Sequence, residues 1–276
     1  MSVGGARTTV ILASIALAAA ACGGSNTTTT AATGGSTRPT ATGSVIAPSP
    51  SAEIAENPAP VVKGQPYHPD VPPPDEFVAT IDNPYMPWIP GTKMMFEGVS
   101  DGQRERNLVV VTDRTKVVMG VTTTVVHDQV FSAGQLAEDT FDWYAQDAAG
   151  NVWYFGEETA VYSNGTVTST AGSWEAGVDG AKPGVVMLAR TTVGESYHQE
   201  FLRGEAEDVG TVIALDDTVN VPYGAFDRVL VTQDTTPLEP QILEHKFYAP
   251  GIGVVIERVI SGGQEVSRLV SFTPPR

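Results

Sequence analysis

An aromatic stretch in the middle of the chain decides the fold: residues 141–155 read FDWYAQDAAGNVWYF. Its two outer runs, Phe141–Tyr144 and Val152–Phe155, consist mostly of aromatic and β-branched residues, which favour strands. Between them lie small and polar residues that favour a turn. Alternate residues of a strand point to opposite faces, so each run directs some of its aromatic side chains inward. The stretch therefore predicts an antiparallel hairpin.

Runs of the same kind recur on both sides of this hairpin. Asn164-Gly165 lies between two of them, and Asn-Gly between β-rich runs is a strong hairpin signal. No later segment keeps the apolar period of a helix. We therefore expect an all-β domain, an antiparallel meander forming a barrel, half-barrel or sandwich. The predicted strands, including the two of this hairpin, are 92–99, 104–112, 116–119, 121–131, 136–146, 151–155, 159–162, 166–170, 185–188, 197–202, 209–215, 218–221, 228–233, 242–248, 254–260 and 265–272.

The residues before this domain have a different composition. Residues 22–75 begin with a mixture of Thr, Ala, Gly and Ser and then contain 10 of the chain's 20 prolines. Such a sequence buries too little apolar surface to offset the entropy lost on ordering the chain. We therefore predict a disordered linker over residues 22–75 and a single β-rich domain over residues 76–276.

The N-terminus has the features of an export signal. Arg7 precedes an apolar run at residues 10–21, and Ala19-Ala20-Ala21 leads directly into Cys22, the only cysteine of the chain. At about 1.5 Å per residue, the run reaches roughly 18 Å as a helix, short of a hydrocarbon core of ~30 Å. Residues 1–21 are therefore predicted to be a cleaved signal peptide rather than a permanent membrane span.

The end of this signal resembles the lipobox of bacterial lipoproteins, with Ala19 in the place of the usual leucine. The resemblance implies that Cys22 receives lipid and becomes the new N-terminus. More than one acyl chain on that cysteine gives stable anchoring. We therefore expect a protein on the extracytoplasmic side of the cell envelope, whose membrane partner is reached through lipid on Cys22.

The charge of the chain excludes one class of partner. The formal net charge is −16, and removal of the signal peptide with Arg7 makes it −17. Nucleic acid and anionic lipid surfaces attract basic patches, and an acidic protein repels them. We expect no nucleic-acid partner.

The motifs of catalysis and cofactor binding are missing or incomplete. Gly98-Val99-Ser100-Asp101-Gly102 matches the G-x-S-x-G elbow, but a β-rich run follows where the elbow needs a helix, so it predicts a hairpin tip. No P-loop or G-x-G-x-x-G occurs, and the four histidines are isolated in the sequence. Glu138 and Asp142 share a strand face, which favours an exposed acidic surface over a calcium site. We expect no cofactor, no metal and no assignable catalytic residue.

Aromatic and acidic residues form the candidate ligand site. The glycine-rich loop at residues 172–184 follows the aromatic hairpin, and long loops of this kind often have a role. Aromatic rings beside carboxylates suit a carbohydrate or an amphipathic ligand, although tryptophan is also common core material. The candidate ligand-binding residues are Trp143, Trp153, Trp174, Glu175 and Asp179.

The same stretches carry a family resemblance. The motifs DWYAQD at residues 142–147, GNVWYFGE at 150–157 and GSWEAGVDGAKPG at 172–184 resemble signatures of a family of secreted bacterial proteins of unknown function. Residues 82–91 and 244–253 resemble further signatures of that family. The resemblance covers residues 77–272 and implies a secreted, single-domain protein. It implies no catalytic residue.

Three functions remain open from the sequence. The first is a membrane-anchored lipoprotein that binds an amphipathic or saccharide ligand of the envelope. The second is a hydrolase of envelope material that uses carboxylates such as Asp142, Glu157, Glu175 or Asp179, with a raised pKa as its signature. The third is a structural or protein-interaction lipoprotein.

Overall fold

The computed structural model describes residue 66, residues 68–100 and residues 102–275. The predicted signal peptide, Cys22 and most of the predicted linker lie outside the described residues. Within the described part of the chain, no helix is long and apolar enough to cross a membrane.

The all-β prediction is confirmed. One short 3₁₀ helix, Pro74–Glu76, precedes sixteen strands. The strands are β1 (Phe77–Val78), β2 (Lys93–Ser100), β3 (Gln103–Val118), β4 (Val121–Ser132), β5 (Gln135–Asp147), β6 (Val152–Ser163), β7 (Thr166–Ser169), β8 (Trp174–Glu175), β9 (Lys182–Met187), β10 (Ser196–His198), β11 (Glu200–Phe201), β12 (Val209–Val221), β13 (Gly224–Thr235), β14 (Leu243–Ala249), β15 (Gly253–Ser261) and β16 (Val266–Thr273).

The strands form one antiparallel, nearly closed barrel, which selects the first of the three predicted architectures. The order around the sheet is β10-β12-β13-β14-β15-β16-β2-β3-β4-β5-β6-β9-β11. Its two ends, β10 and β11, are separated in sequence only by Gln199. β10 pairs with β12 and β11 pairs with β9. We call residues 196–201 the seam, because this segment joins both edges of the sheet.

Three pairs of predicted strands are single long strands in the structure. The runs 104–112 and 116–119 belong to β3, with a register shift between Val111 and Thr115. The runs 151–155 and 159–162 belong to β6, which passes through Gly156 at a φ of 129°. The runs 209–215 and 218–221 belong to β12, again with register shifts. Bulges of this kind increase local twist and curvature, which a sheet needs in order to close.

Residues 81–88, which we call the plug, contribute buried side chains to the barrel core. Met86 and Trp88 of the plug line an internal cavity together with the barrel residues Asp142 and Tyr248. The side chain of Gln146 holds the plug: its Oε1 accepts hydrogen bonds of 2.9 Å from the backbone N–H groups of residues 82 and 83.

Residues 68–78 lie across the outside of the barrel and form what we call the strap. Phe77 packs edge-on against Trp153 and Phe155, with ring centroids 6.2 and 5.5 Å apart, and β1 pairs with β5. Pro74 lies near the β3–β4 turn, where its Cγ is 3.3 Å from a Cβ built on Gly120. Residues 68–75 belong to the stretch whose composition predicts a linker, and in the structure Val71 and Pro74 lie against the barrel. Their prolines need no backbone hydrogen-bond partner, so they can lie flat on an apolar sheet face.

Barrel closure predicts a strong effect of one glycine. A Cβ on Gly184 of β9 would overlap the backbone of His198 and Gln199 in the seam. Gly184→Ala should therefore force the seam away from β9 and lower the free energy of unfolding by about 1–3 kcal/mol. Urea denaturation measures this effect.

Gly224→Ala is the matched control, because a Cβ at Gly224 has no atom within 4 Å. It should leave stability nearly unchanged. Equal stability of the Gly184→Ala and Gly224→Ala proteins would contradict a tight seam.

Candidate functional site

The five predicted ligand residues do not form one site. Trp153 and Trp174 are packing residues: the Trp153 Nε1 donates to Asp147 at 2.8 Å, and Trp174 lies edge-on to Tyr154, with centroids 5.3 Å apart. Trp143 is also buried, at 5% exposed. Asp179 is exposed and has a φ of 51°, in the turn after β8. All three tryptophans are packed as core residues, which is the alternative interpretation that the sequence allowed. Ligand binding by them stays a prediction.

Two of the five residues meet at a surface feature of the barrel. The Lys116 Nζ lies 3.1 Å from the centroid of the Trp143 ring and 2.8 Å from the Glu175 Oε2. Lys116 and Glu175 are each about one-third exposed, at 34% and 38% of the side chain. A cation over an aromatic face and beside a carboxylate is held in one position.

Exposed apolar side chains lie on the same two segments as this ion pair. Met119 and Val178 are each 50% exposed. They belong to neighbouring segments, since the Met119 Cγ lies 3.0 Å from a Cβ built on Gly177. We call Lys116, Met119, Glu175 and Val178 the amphipathic rim, because it combines a fixed charge pair with exposed apolar groups. Sequence analysis found Glu175 of this set and missed the other three: Lys116 of β3, Met119 of the β3–β4 turn and Val178 of the loop after β8.

A second feature was not predicted: the inside of the barrel contains many carboxylates. Asp142 was expected on an exposed acidic face, but it is 6% exposed and points into the barrel. Its cross-strand neighbours on β4 and β6 are Val126 and Glu157, and Glu157 is also buried. The exposed-face expectation was wrong for Asp142 because its face of β5 forms part of the barrel interior, where Asp142 and Tyr144 line the cavity.

The carboxylates continue around the interior. Buried acidic residues that face inward or line the interior polar cluster are Glu105, Asp128, Asp142, Glu157, Glu200, Asp208, Asp234 and Glu257. Lys246 is the only buried lysine in the described part of the chain. Its Nζ lies 3.0 Å from Asp234 Oδ2 and 3.6 Å from Glu244 Oε2.

Burial determines the protonation of this cluster. It raises the pKa of Asp142, Glu138 and Asp208 to about 7 in each case, and neighbouring carboxylates add to the shift of Glu138. Burial also raises the pKa of Glu157 and Glu200 well above the ordinary value, helped by Asp142 and Asp208 respectively. Desolvation disfavours the charged form, and so does a like charge nearby. At neutral pH much of the interior is therefore held as neutral carboxylic acids.

The cavity beside these carboxylates is small. It has a volume of about 20 Å³ and is lined by Asp128 and Asp142 among mostly apolar side chains. A cavity of roughly 10–15 Å³ holds one water molecule, so this one has no room for a sugar ring or an acyl chain. Raised carboxylate pKa values are the expected signature of the hydrolase hypothesis, and Asp142 is the one of its proposed carboxylates that lines this cavity.

Metal binding has no support among the described residues, where no group of three or more His, Cys, Asp or Glu side chains is arranged to hold an ion. His127 makes both a polar and a stacking contact: its Nε2 lies 2.7 Å from Asp139 Oδ1, and its ring stacks on Phe141 with centroids 4.3 Å apart. The pair is largely buried, and the Gln129 side chain also donates to Asp139 Oδ1 at 2.9 Å.

Comparisons with known proteins give distant similarities. No known family matches the chain, and no curated protein matches it. Among solved structures, the chain is similar to a predicted exported protein with a YmcC-like fold from Bacteroides fragilis, at 14% identity and a TM-score of 0.36, over 67% of this chain and 96% of that one. It is also similar to a predicted lipoprotein from Parabacteroides distasonis, at 10% identity and a TM-score of 0.37, over 70% of this chain and 99% of that one. These descriptions apply to those two proteins, and the predicted family membership of this chain stays a prediction.

The buried carboxylates predict an unusual dependence of stability on pH. A carboxyl group with a folded pKa near 7 and an unfolded pKa near 4 stabilises the fold below the unfolded value and loses that contribution as pH rises through the folded value. Glu138, Asp142, Asp208 and Glu244 all shift to about 7, and they outweigh three histidines whose pKa is lowered. The melting temperature should therefore fall between pH 5 and pH 7.5.

Differential scanning calorimetry measures this slope. Asp142→Asn removes one titrating group at nearly constant volume and should flatten the slope. Glu158→Gln, at an exposed position on β6, should not. A melting temperature that rises steadily from pH 5 to pH 7.5 would be incompatible with a protonated interior.

Proposed function

We propose that this protein is an extracytoplasmic lipoprotein whose barrel binds an amphipathic ligand of the cell envelope at the amphipathic rim. The observation that carries the proposal is the arrangement of Lys116, which is fixed between the Trp143 ring and Glu175 next to exposed Met119 and Val178. A ligand with a polar head and an apolar part would place its head against the Lys116–Glu175 pair and its apolar part against Met119 and Val178.

The enclosed interior supports an external rather than an internal binding site. The cavity bounded by Asp128 and Asp142 holds one water molecule, whereas barrels that carry lipids or sugars inside need a far larger space. Binding on the outside leaves the barrel as a rigid scaffold, on which β3 and the loop after β8 hold the rim residues in place.

Anchoring supports a ligand that resides at the membrane. Cys22 would hold the barrel at a lipid surface, where the local concentration of amphipathic molecules is high. A weak external site then suffices, because tethering replaces part of the affinity that a free protein would need.

The rim makes a testable prediction about binding. The probe is a series of phosphatidylcholine vesicles with and without phosphatidylglycerol, and the protein lacks residues 1–22 so that neither its signal peptide nor its own lipid binds them. Met119→Ser combined with Val178→Ser should weaken vesicle binding roughly tenfold, since each loses part of an apolar contact worth about 1–2 kcal/mol. Flotation of the protein with the vesicles measures this.

A matched control separates the rim from general surface hydrophobicity. Val167 on β7 is 47% exposed, and Val167→Ser should leave vesicle binding unchanged. Equal loss in the Val167→Ser protein would refute a specific rim. Binding to envelope oligosaccharides in place of vesicles would show that the ligand is a saccharide.

The anchor itself has a direct test. Cys22→Ser removes the acyl acceptor, so the protein should leave the membrane fraction or retain its signal peptide. Cell fractionation and mass spectrometry of the mature N-terminus measure both. A Cys22→Ser protein that remains membrane-bound with normal processing would show that lipid is not the anchor.

A further inference from the structure

The strap contacts the seam through a pair of histidines. His68 of the strap lies against His198 of β10, with ring centroids 5.6 Å apart. Phe201 of β11 completes the cluster, at 6.0 Å from His68 and 5.9 Å from His198, edge-on to both rings. The first described residues of the strap are thus packed on the one segment that closes the barrel.

Each histidine of the pair has one buried ring nitrogen that would have no acceptor on protonation. The His68 Nε2 and the His198 Nδ1 are buried, and neither has a hydrogen-bond partner among the described residues. A ring nitrogen that has no acceptor nearby is compatible with the neutral imidazole. Protonation would instead bury a charged N–H group without a hydrogen-bond partner.

The surrounding charges are mixed. Lys182 of β9 lies over the Phe201 ring, with its Nζ 5.8 Å from the centroid. Lys182 and His198 both lower the pKa of His68, after the larger effect of burial, while Asp70 on the strap acts in the opposite direction. Burial also lowers the pKa of His198, and Glu207 opposes this. For His68 the cationic neighbours add to burial, and on balance both rings are held neutral.

We propose that the His68–His198 contact is an acid-sensitive latch that holds the strap on the seam at neutral pH and releases it under mild acid. Protonation of one ring places a charge without an acceptor in the cluster, and protonation of the second adds repulsion between two cations beside Lys182. The strap residues before Val71 then leave the barrel, and Phe201 loses its cover. Val71 and Phe77, which pack on the apolar core, keep the rest of the strap in place.

The direction follows from the lowered pKa values. A histidine with a lowered folded pKa stabilises its contact above the ordinary value of 6.5, and this stabilisation is lost as pH falls below that value. The interior carboxylates have the opposite dependence, so the barrel gains stability where the latch opens. Release of the strap is therefore local and separable from unfolding.

Hydroxyl-radical footprinting tests the latch in the full-length protein. The readout is the oxidation rate of Phe201 at pH 7.5 and pH 5.0, measured by mass spectrometry. We expect low oxidation at pH 7.5 and, at pH 5.0, a rise to the rate of the His68→Ala protein, in which Phe201 is uncovered at both pH values. His68→Phe keeps an aromatic cover that cannot be protonated and should remove the pH response.

The control is His245→Phe, which alters another half-buried histidine with a lowered pKa next to Phe247, and it should keep the full response. Equal oxidation of Phe201 at the two pH values in the unaltered protein overturns the proposal, as does an acid response that persists in His68→Phe. Nuclear magnetic resonance titration of the two rings gives a second test without substitution: pKa values at or above 6.5 for both also overturn it.

Discussion

Closure of the barrel at the seam is the constraint on which the rest of the structure depends. The seam pairs with β12 before Gln199 and with β9 after it. This change of partner within one short segment joins the two edges of the sheet. A sheet left open there would expose unpaired backbone groups along both edges. Closure also encloses every inward-facing side chain, whatever its chemistry. The polar interior follows from that enclosure.

The enclosed carboxylates show how such an interior is tolerated. One lysine cannot neutralise eight or more buried acids, and full ionisation would cost far more than the stability of a domain. Raised pKa values resolve the conflict, because protonated acids donate and accept hydrogen bonds without net charge. Lys246 is the exception that stays charged, since Asp234 and Glu244 surround it. The protein thereby couples its stability to the proton concentration of the compartment in which it lies.

The two faces of the hairpin at residues 141–155 have different tasks. Inward residues such as Asp142, Tyr144 and Tyr154 form the interior wall, where the Tyr154 hydroxyl donates to Asp142 at 2.8 Å. Outward residues such as Trp153 and Phe155 hold the strap. The aromatic density that suggests a ligand site therefore serves largely to attach the chain's own segments. Exposed apolar groups remain at the rim, on the β3–β4 turn and the loop after β8.

By itself the sequence determined the all-β class and the antiparallel pairing of the strands, because alternation and turn residues are local properties. The export signal and the Cys22 anchor rest on contiguous motifs and stay predictions. Only the tertiary structure decided that the sheet closes, that the face of Asp142 is buried, and that Lys116 meets Trp143 and Glu175. Each of these features depends on residues far apart in the chain. The alternation of apolar and polar residues is the same for a strand whose polar face meets water and for a strand whose polar face meets other polar groups. Burial is a property of the closed barrel, and no local pattern contains it.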